Sequence, residues 1–249
     1  MPAQVSRVDL AYRAMRQAII EQQLAPGTKL PEDEIGEAFA ISRTLVRQAL
    51  ARLKADGLVD TGGKRTATVA RPSLAEAREI FRVRRALERE AVHLVAEAWK
   101  PEFGARLEGH VRAEDAARAA GDERVSIRLA GEFHLLLAEL TGNRTLIDYV
   151  TQLVVRCSLI LALYGRPHSS DCAVNEHRDI IAALRDGDAG RAVDLMDHHV
   201  ALVESRALLA EAADAPKLSA LLGRYASAAE AEAEGAKAGP RAVKKGGKR

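Results

Sequence analysis

Three of the seven histidines lie on the apolar stripes of separate predicted helices. His134, His177 and His199 each have aliphatic neighbours at helical spacing, whereas the stripe through His198 carries charged residues. The first three side chains are therefore predicted to point inward and His198 outward. Three buried imidazoles are costly unless each finds a polar partner, and one divalent metal, such as zinc or nickel, would satisfy all three. Three unrelated core histidines are the alternative.

A second candidate site is a short helix with arginines and hydroxyls at its start. Arg43 and Arg47 are one helical turn apart, and Ser42 and Thr44 lie beside them. Arginine can pair bidentately with guanine, while hydroxyls and backbone NH groups bind phosphate. The pattern predicts a helix that reads the major groove of DNA, and a solvated amphipathic helix is the alternative.

The elements around this helix predict a winged helix-turn-helix in residues 1–71. Apolar periodicity indicates helices over residues 8–23, 31–39 and 44–56, the last capped by Ser42. Two short β-branched runs follow, separated by Gly62 and Gly63 with Lys64 just after them, and this pattern is typical of a hairpin. Such a hairpin forms the wing of this class of DNA-binding domain.

The remainder of the chain predicts an all-α bundle and a tail, so the expected fold class is mainly α. Residues 72–215 form the bundle, and residues 216–249, with 8 basic and 3 acidic groups, form a flexible basic tail. The tail either adds non-specific phosphate contacts or is simply solvated. The bundle helices are predicted at 73–98, 102–120, 122–141, 143–165, 172–186 and 188–213.

Composition narrows the function classes further. The chain has 249 residues, a formal net charge of +2 and an apolar fraction of 47%, which suffices for a substantial core. No uninterrupted apolar run reaches the roughly 18 residues that a membrane span needs, and the first residues lack a signal-peptide pattern. The two cysteines offer no disulfide framework. A cytoplasmic protein with no membrane segment is expected.

The predicted head carries a family resemblance. The segment PGTKLPEDEIGEAFAISRTLVRQALARLKADGLV resembles the winged helix of the GntR superfamily of bacterial transcription regulators. Leu45 replaces the usual proline, Gln48 replaces the usual glutamate, and Asp33 stands where many members have a DNA-contacting arginine. The resemblance implies that the DNA contacts come from the recognition helix and the wing, through Ser42, Arg43, Thr44, Arg47, Gly62, Gly63 and Lys64.

The predicted bundle carries a second resemblance. The segments VRRALEREAVHLVAE, GEFHLLLAELTGN and EHRDIIAALRDGDAGRAVDLMDHHV resemble the FCD effector domain of the FadR subfamily. This implies a metal held by the three inward histidines and an effector contacted by Arg84 and Asn143. A salt bridge from Arg84 to Glu88 and a helix-capping role for Asn143 are the alternatives.

One family ligand is missing. Metal-binding members have an aspartate four residues before the first histidine, where this chain has Ala130. Water or an effector carboxylate can complete a three-histidine site, or the imidazoles can bind an effector without metal. Cys172 is a further replacement ligand, although its spacing of five residues from His177 is poor for facing the same way.

These patterns lead to one main hypothesis and two alternatives. The main hypothesis is a ligand-responsive transcription regulator that binds a palindromic operator in double-stranded DNA as a homodimer. A small metabolite, on the family resemblance an organic acid, would modulate it through the bundle. A metal-dependent hydrolase with an accessory DNA-binding head is one alternative, and a purely architectural DNA protein is the other. No HExxH, GxSxG or phosphate-binding glycine motif supports an enzyme.

Overall fold

A computed structural model of the chain describes residues 6–62, 66–164 and 170–207. Helices dominate these residues, and the few strands are confined to the N-terminal part, as the predicted fold class requires. In chain order the elements are α1 Arg7–Ile20, β1 Lys29–Leu30, α2 Glu32–Phe39, α3 Arg43–Ala55, β2 Val59–Asp60, β3 Ala67–Val69, α4 Leu74–Glu97, α5 Pro101–Ala119, α6 Glu123–Leu140, α7 Arg144–Tyr164, α8 Ser170–Arg185 and α9 Ala189–Ala207. The predicted division at residues 71 and 72 falls between β3 and α4.

The N-terminal part is a winged helix, here called the head. Strand β3 lies between β1 and β2 and pairs antiparallel with both, with Leu30 opposite Ala67 and Val59 opposite Val69. The β2–β3 hairpin was predicted, but β1 was not, because a strand of two residues is too short to show alternation.

The first helix ends earlier than its sequence pattern predicts. It stops at Ile20 rather than near Gln23, because Gln22 adopts a left-handed conformation with φ of 57°. The backbone NH groups of Gln23 and Leu24 then bond to the carbonyl of Ala18, and Leu24 turns into the core, where it is fully buried. The apolar pattern therefore continued past the end of the helix.

Helices α4 to α9 form the bundle, here called the body. Its helix ends agree with the predicted spans to within about two residues where both are described, and α9 is described only to Ala207. Gly142 and Gly187 follow α6 and α8 with φ of 67° and 75°, which a side chain would disfavour. Helix α4 packs on α7 and α9, while α5 packs on α6 and α8, so the core lies between these groups. The predicted tail lies outside the described residues.

The head rests directly on the body. Val155 and Leu159 of α7 are buried in the same apolar cluster as the head residues Leu50 and Leu58. An ion pair also spans the junction, since Nε of Arg128 on α6 lies 3.3 Å from a carboxylate oxygen of Glu21 at the end of α1. Movement of the head on the body would break both contacts.

Among the described residues, α7 is the helix long and apolar enough to cross a membrane. Half of its most apolar stretch is buried inside the protein, and Cys157 and Ile160 pack in the body core. These features are typical of a core helix, whose apolar surface faces other helices of the same chain.

The start of α4 gives a test of how the body is anchored. Ser73 and Glu76 form a reciprocal capping box, in which Ser73 Oγ accepts from the Glu76 NH at 3.2 Å. We expect Ser73→Ala to lower the free energy of unfolding by about 1 kcal/mol, measured by urea denaturation. Ser205→Ala, an exposed serine within α9, is the matched control and should change it by less than about 0.5 kcal/mol. Equal effects of the two variants would contradict a special role for the cap.

Candidate functional site

The three predicted inward histidines meet inside the body. His134 lies on α6, His177 on α8 and His199 on α9, and each side chain is at most 3% exposed. Their nearest ring nitrogens lie within 4.8 Å of one another, and the Nε2 atoms of His134 and His199 are 3.2 Å apart. His198 is exposed, as predicted. Helical periodicity thus placed all four side chains on the correct faces.

Capping residues fix where α6 and α9 begin, and so decide which face of each helix carries its histidine. Asp122 caps α6 by accepting a hydrogen bond from the NH of Val125 at 3.2 Å. Asp188 caps α9 in the same way through the NH of Arg191 at 2.9 Å, directly after the turn at Gly187. The caps fix the first turns, and the 3.6-residue period then carries the imidazoles to the inner face of each helix.

A carboxylate orients each imidazole. Nδ1 of His134 lies 2.5 Å from Glu88, that of His177 lies 2.9 Å from Glu114, and that of His199 lies 2.5 Å from Glu176. An Nδ1–H group that donates to a carboxylate leaves the lone pair on Nε2, and this arrangement is the usual outer layer of a histidine metal site. His177 and His199 form such a hydrogen bond, whereas Nδ1 of His134 and the adjacent oxygen of Glu88 are close without one. The Nε2 atoms of His177 and His199 are therefore the ring nitrogens left as acceptors.

Sequence reasoning had not assigned these carboxylates this role. Glu88 was expected only as a salt-bridge partner of Arg84. Glu114 had no assigned role, although it is 1% exposed. The signal that could have found it is helical spacing, since Glu114 follows the buried residues Leu107 and Val111 on the inner face of α5.

Burial sets the charges of the site. It lowers the pKa of His134 to about 4 and that of His199 to about 3, despite the nearby carboxylates. Burial alone would raise the pKa of Glu88, but the charge of Arg84, together with the adjacent His134 ring, outweighs it and lowers that pKa to about 2. At neutral pH His134 and His199 are therefore neutral, and Glu88 is ionised.

Divalent metals such as zinc or nickel fit this donor set. Nε2 of His177 is buried and has no hydrogen-bond partner in the described part of the chain. An orphaned buried nitrogen is costly, and a metal ion would satisfy it together with the two neighbouring Nε2 atoms. The position of the family aspartate is Ala130, which lines the adjoining cavity and supplies no ligand. Coordination positions would stay open on that side. The side chain of Cys172 lies outside the described residues.

The histidines line a cavity of about 690 Å³ that is open to solvent. Arg84 lines the cavity as well. Its Nε also donates to Glu88 at 2.5 Å, so Arg84 forms the salt bridge that the sequence analysis gave as the alternative. Asn143 is exposed and is not among the described residues that line the cavity. Its Oδ1 instead caps α7 by accepting a hydrogen bond from the NH of Leu146 at 3.1 Å. The structure thus places Asn143 in the capping alternative.

The start of α3 presents the predicted DNA-contacting side chains to solvent. Ser42 caps the helix by accepting from the NH of Leu45 at 3.4 Å, and Arg43, Thr44 and Arg47 are exposed. On the other side of α3, Val46, Ala49, Leu50 and Leu53 anchor the helix in the head core. Gly62 is described at the tip of β2, whereas Gly63 and Lys64 lie outside the described residues.

Two acids of α2 hold these arginines. Nε of Arg43 lies 2.6 Å from Asp33, and Nε of Arg47 lies 2.9 Å from Glu32, whose hydrogen bond raises the pKa of Arg47. The arginine side chains are 68% and 69% exposed. Exposed ion pairs are weak, so a phosphate or guanine can displace the acids, which meanwhile hold both guanidinium groups on one side of the helix.

A winged helix with an exposed arginine-bearing recognition helix, joined to an all-helical second domain, defines a DNA-binding transcription regulator. The chain belongs to the GntR family of bacterial regulatory proteins. Residues 8–69 match the family model described as "Bacterial regulatory proteins, gntR family", and residues 79–202 match the FCD domain.

Named relatives agree with this family. The chain is 31% identical over 186 residues to the probable D-xylose utilization operon transcriptional repressor of Paenarthrobacter nicotinovorans, covering 74% of this chain and 80% of that protein. It is 27% identical to the HTH-type transcriptional regulator YdhC of Bacillus subtilis, covering 70% and 79%. Among solved structures, E. coli McbR/YncC is similar in fold, with a TM-score of 0.71 at 24% identity over 81% of this chain and 98% of that one.

The family and relatives are transcription regulators, so this chain is a regulator and not an enzyme. This excludes the hydrolase alternative. The same comparisons disfavour a purely architectural DNA protein, since the second domain matches a defined family domain.

The buried imidazoles predict how stability depends on pH. Unfolded histidine titrates near pH 6.5, well above the pKa of folded His134 or His199. Between about pH 6.5 and pH 4 the unfolded chain therefore binds more protons, and the metal-free protein should lose stability as the pH falls. Between pH 7 and pH 5 we expect a loss of about 2 kcal/mol for each of these histidines, measured by urea denaturation.

Two glutamine variants separate this effect from general acid sensitivity. In His134→Gln the dependence on pH should be shallower than in the wild type, because one titrating group is gone. His198→Gln, which removes an exposed imidazole, should leave the dependence unchanged. An unaltered slope in His134→Gln would show that His134 does not titrate as described.

Proposed function

We propose that this regulator binds a palindromic operator as a homodimer and that a small organic acid, bound in the body through a divalent metal, modulates its DNA affinity. The observation that carries the proposal is the convergence of three buried Nε2 atoms on one wall of a cavity large enough for a metabolite. In the proposal the body senses the effector, and the exposed start of α3 in the head reads DNA.

In the proposal the head reads DNA with the start of α3 in the major groove. Arg43 and Arg47 contact base edges, and Ser42 and Thr44 contact phosphate. The wing residues Gly62, Gly63 and Lys64 reach the minor groove. A single winged helix buries little surface, so a homodimer on two half-sites is needed for tight specific binding.

In the body His134, His177 and His199 would hold the metal, which would supply open coordination positions for an acid. Glu88, Glu114 and Glu176 keep the imidazoles in the tautomer that offers Nε2. Arg84 lines the same cavity and would add charge-assisted hydrogen bonds to a carboxylate. Since Ala130 leaves the position of the family aspartate without a ligand, the effector has more room at the metal than in members with that carboxylate.

Binding would act by shifting an equilibrium between arrangements of the head. The effector changes operator affinity only to the extent that it binds these arrangements differently. Relatives named as repressors, such as the one from Paenarthrobacter nicotinovorans, favour repression as the default state. We place the protein in the cytoplasm, where operator DNA and metabolites meet.

The DNA-reading role of Arg43 has a direct test. With an operator found by selection from a random library, Arg43→Ala should weaken binding by about 1–3 kcal/mol and relax specificity at one base pair. A gel-shift titration at fixed salt measures both. Lys54→Ala, at the other end of α3, is the control and should retain base specificity. Full affinity and specificity in Arg43→Ala would remove this residue from base recognition.

The metal site is tested by two neighbouring histidines. We expect zinc-loaded wild-type protein to carry one ion per chain in native mass spectra at neutral pH. His199→Ala should lose at least about tenfold in zinc affinity, because a ligand is gone, whereas His198→Ala should bind as the wild type does. The same spectra report whether the protein is a dimer. Equal zinc binding by the two variants would refute the three-histidine site.

A further inference from the structure

The cavity lined by the three histidines is also lined by residues of the DNA-binding head. Its lining includes Arg13, Arg16, Gln17 and Ile20 of α1, which belongs to the winged helix and not to the bundle. A molecule that fills the cavity therefore touches the head directly.

The charges of the lining are unequal. It contains five arginines and three glutamates among the described residues, namely Arg13, Arg16, Arg84, Arg128, Arg206, Glu114, Glu123 and Glu132. The arginines of the body are each paired with a carboxylate: Arg84 with Glu88, Arg128 with Glu21 and Glu132, and Arg206 with Glu176. Positive charge that is not already neutralised must therefore come from α1.

Arg13 and Arg16 of α1 are the arginines of the lining without a carboxylate partner among the described residues. They are three residues apart and so share one face of α1, and neither forms an ion pair or a hydrogen bond with any residue that the structure describes. Glu123, at the exposed start of α6, is the lining glutamate that forms no ion pair with the described residues. Among the described lining residues, two unpaired guanidinium groups against one unpaired carboxylate leave a net positive charge.

We infer that Arg13 and Arg16 form a second anion-binding subsite and that the effector is an extended molecule with an acidic group at each end. One acidic group lies at the three histidines, and the other is bound by the two arginines of the head. This rests on the proposed function, since it requires the histidine centre to hold the first group. A volume of about 690 Å³ is in the range of pockets for drug-sized ligands, so it accommodates such a molecule.

The packing of α1 on α3 also explains how binding of a ligand in the cavity can affect the recognition helix. Ala14, Met15 and Ala18 on the opposite face of α1 are buried in the same core as Leu50 and Leu53 of α3. Because α1 and α3 are packed together, an anion held by Arg13 and Arg16 is attached to the recognition helix through a rigid core. A ligand bound at both ends fixes the head relative to the body and favours one arrangement.

The experiment compares acids that differ only in their second end. Zinc-loaded full-length protein is titrated by calorimetry with saturated linear dicarboxylates of four to eight carbons and with the monocarboxylates of equal length. We expect at least one dicarboxylate to bind about tenfold or more tightly than its monocarboxylate partner. The double variant Arg13→Gln/Arg16→Gln should bind the two acids equally. Arg144→Gln, an exposed arginine outside the cavity, is the matched control and should keep the difference.

The outcomes separate the subsite from the proposed function. A dicarboxylate advantage that survives in the double variant overturns the subsite but leaves the histidine centre in place. Failure of every acid to bind zinc-loaded wild type overturns the effector part of the proposed function itself. Linear acids with one carboxylate and one phosphonate end show which anion the arginines prefer. Tighter binding of such an acid than of the monocarboxylate of equal length supports the subsite. Weaker ligand-free DNA binding by the double variant, with a smaller salt slope, would overturn it by making these arginines phosphate contacts.

Discussion

The burial of three imidazoles inside a helical bundle is the constraint that organises the body. A neutral ring has one nitrogen that donates and one that accepts a hydrogen bond, and each needs a polar partner when the side chain is buried. Carboxylates from three helices meet the donors, and Arg84 in turn balances the charge of Glu88. Nε2 of His177 has no hydrogen-bond partner among the described residues, and the Nε2 atoms of His134 and His199 lie 3.2 Å apart. The three carboxylates thus form a polar outer layer around the imidazoles.

The proposed metal site would not require the carboxylate that metal-binding family members add. Ala130 lies beside the cavity at that position and supplies no ligand. Histidine alone can supply three ligands, and the loss of a negative ligand would leave more net positive charge at a bound ion. In the proposal, the substitution therefore changes which molecules the site attracts.

Helix α1 contributes to both the head and the cavity of the body. One of its faces packs in the core of the winged helix, and the other lines the cavity. The apolar contact of the head with Val155 and Leu159 and the ion pair between Glu21 and Arg128 lie along the same junction. Val155 and Arg128 therefore serve both as contacts between head and body and as lining of the cavity.

The sequence by itself determined the helices, the inward direction of three histidines and the exposed arginines of α3. These features follow from the 3.6-residue period, from caps such as Ser42 and from turn glycines, all of which act within a few residues. Only the tertiary structure decided which groups meet. Glu114 reaches His177 across 63 residues of sequence, and α1 reaches a cavity formed mainly by α6 and α7. Such pairs depend on how helices pack against one another, and local periodicity contains no information about the partner.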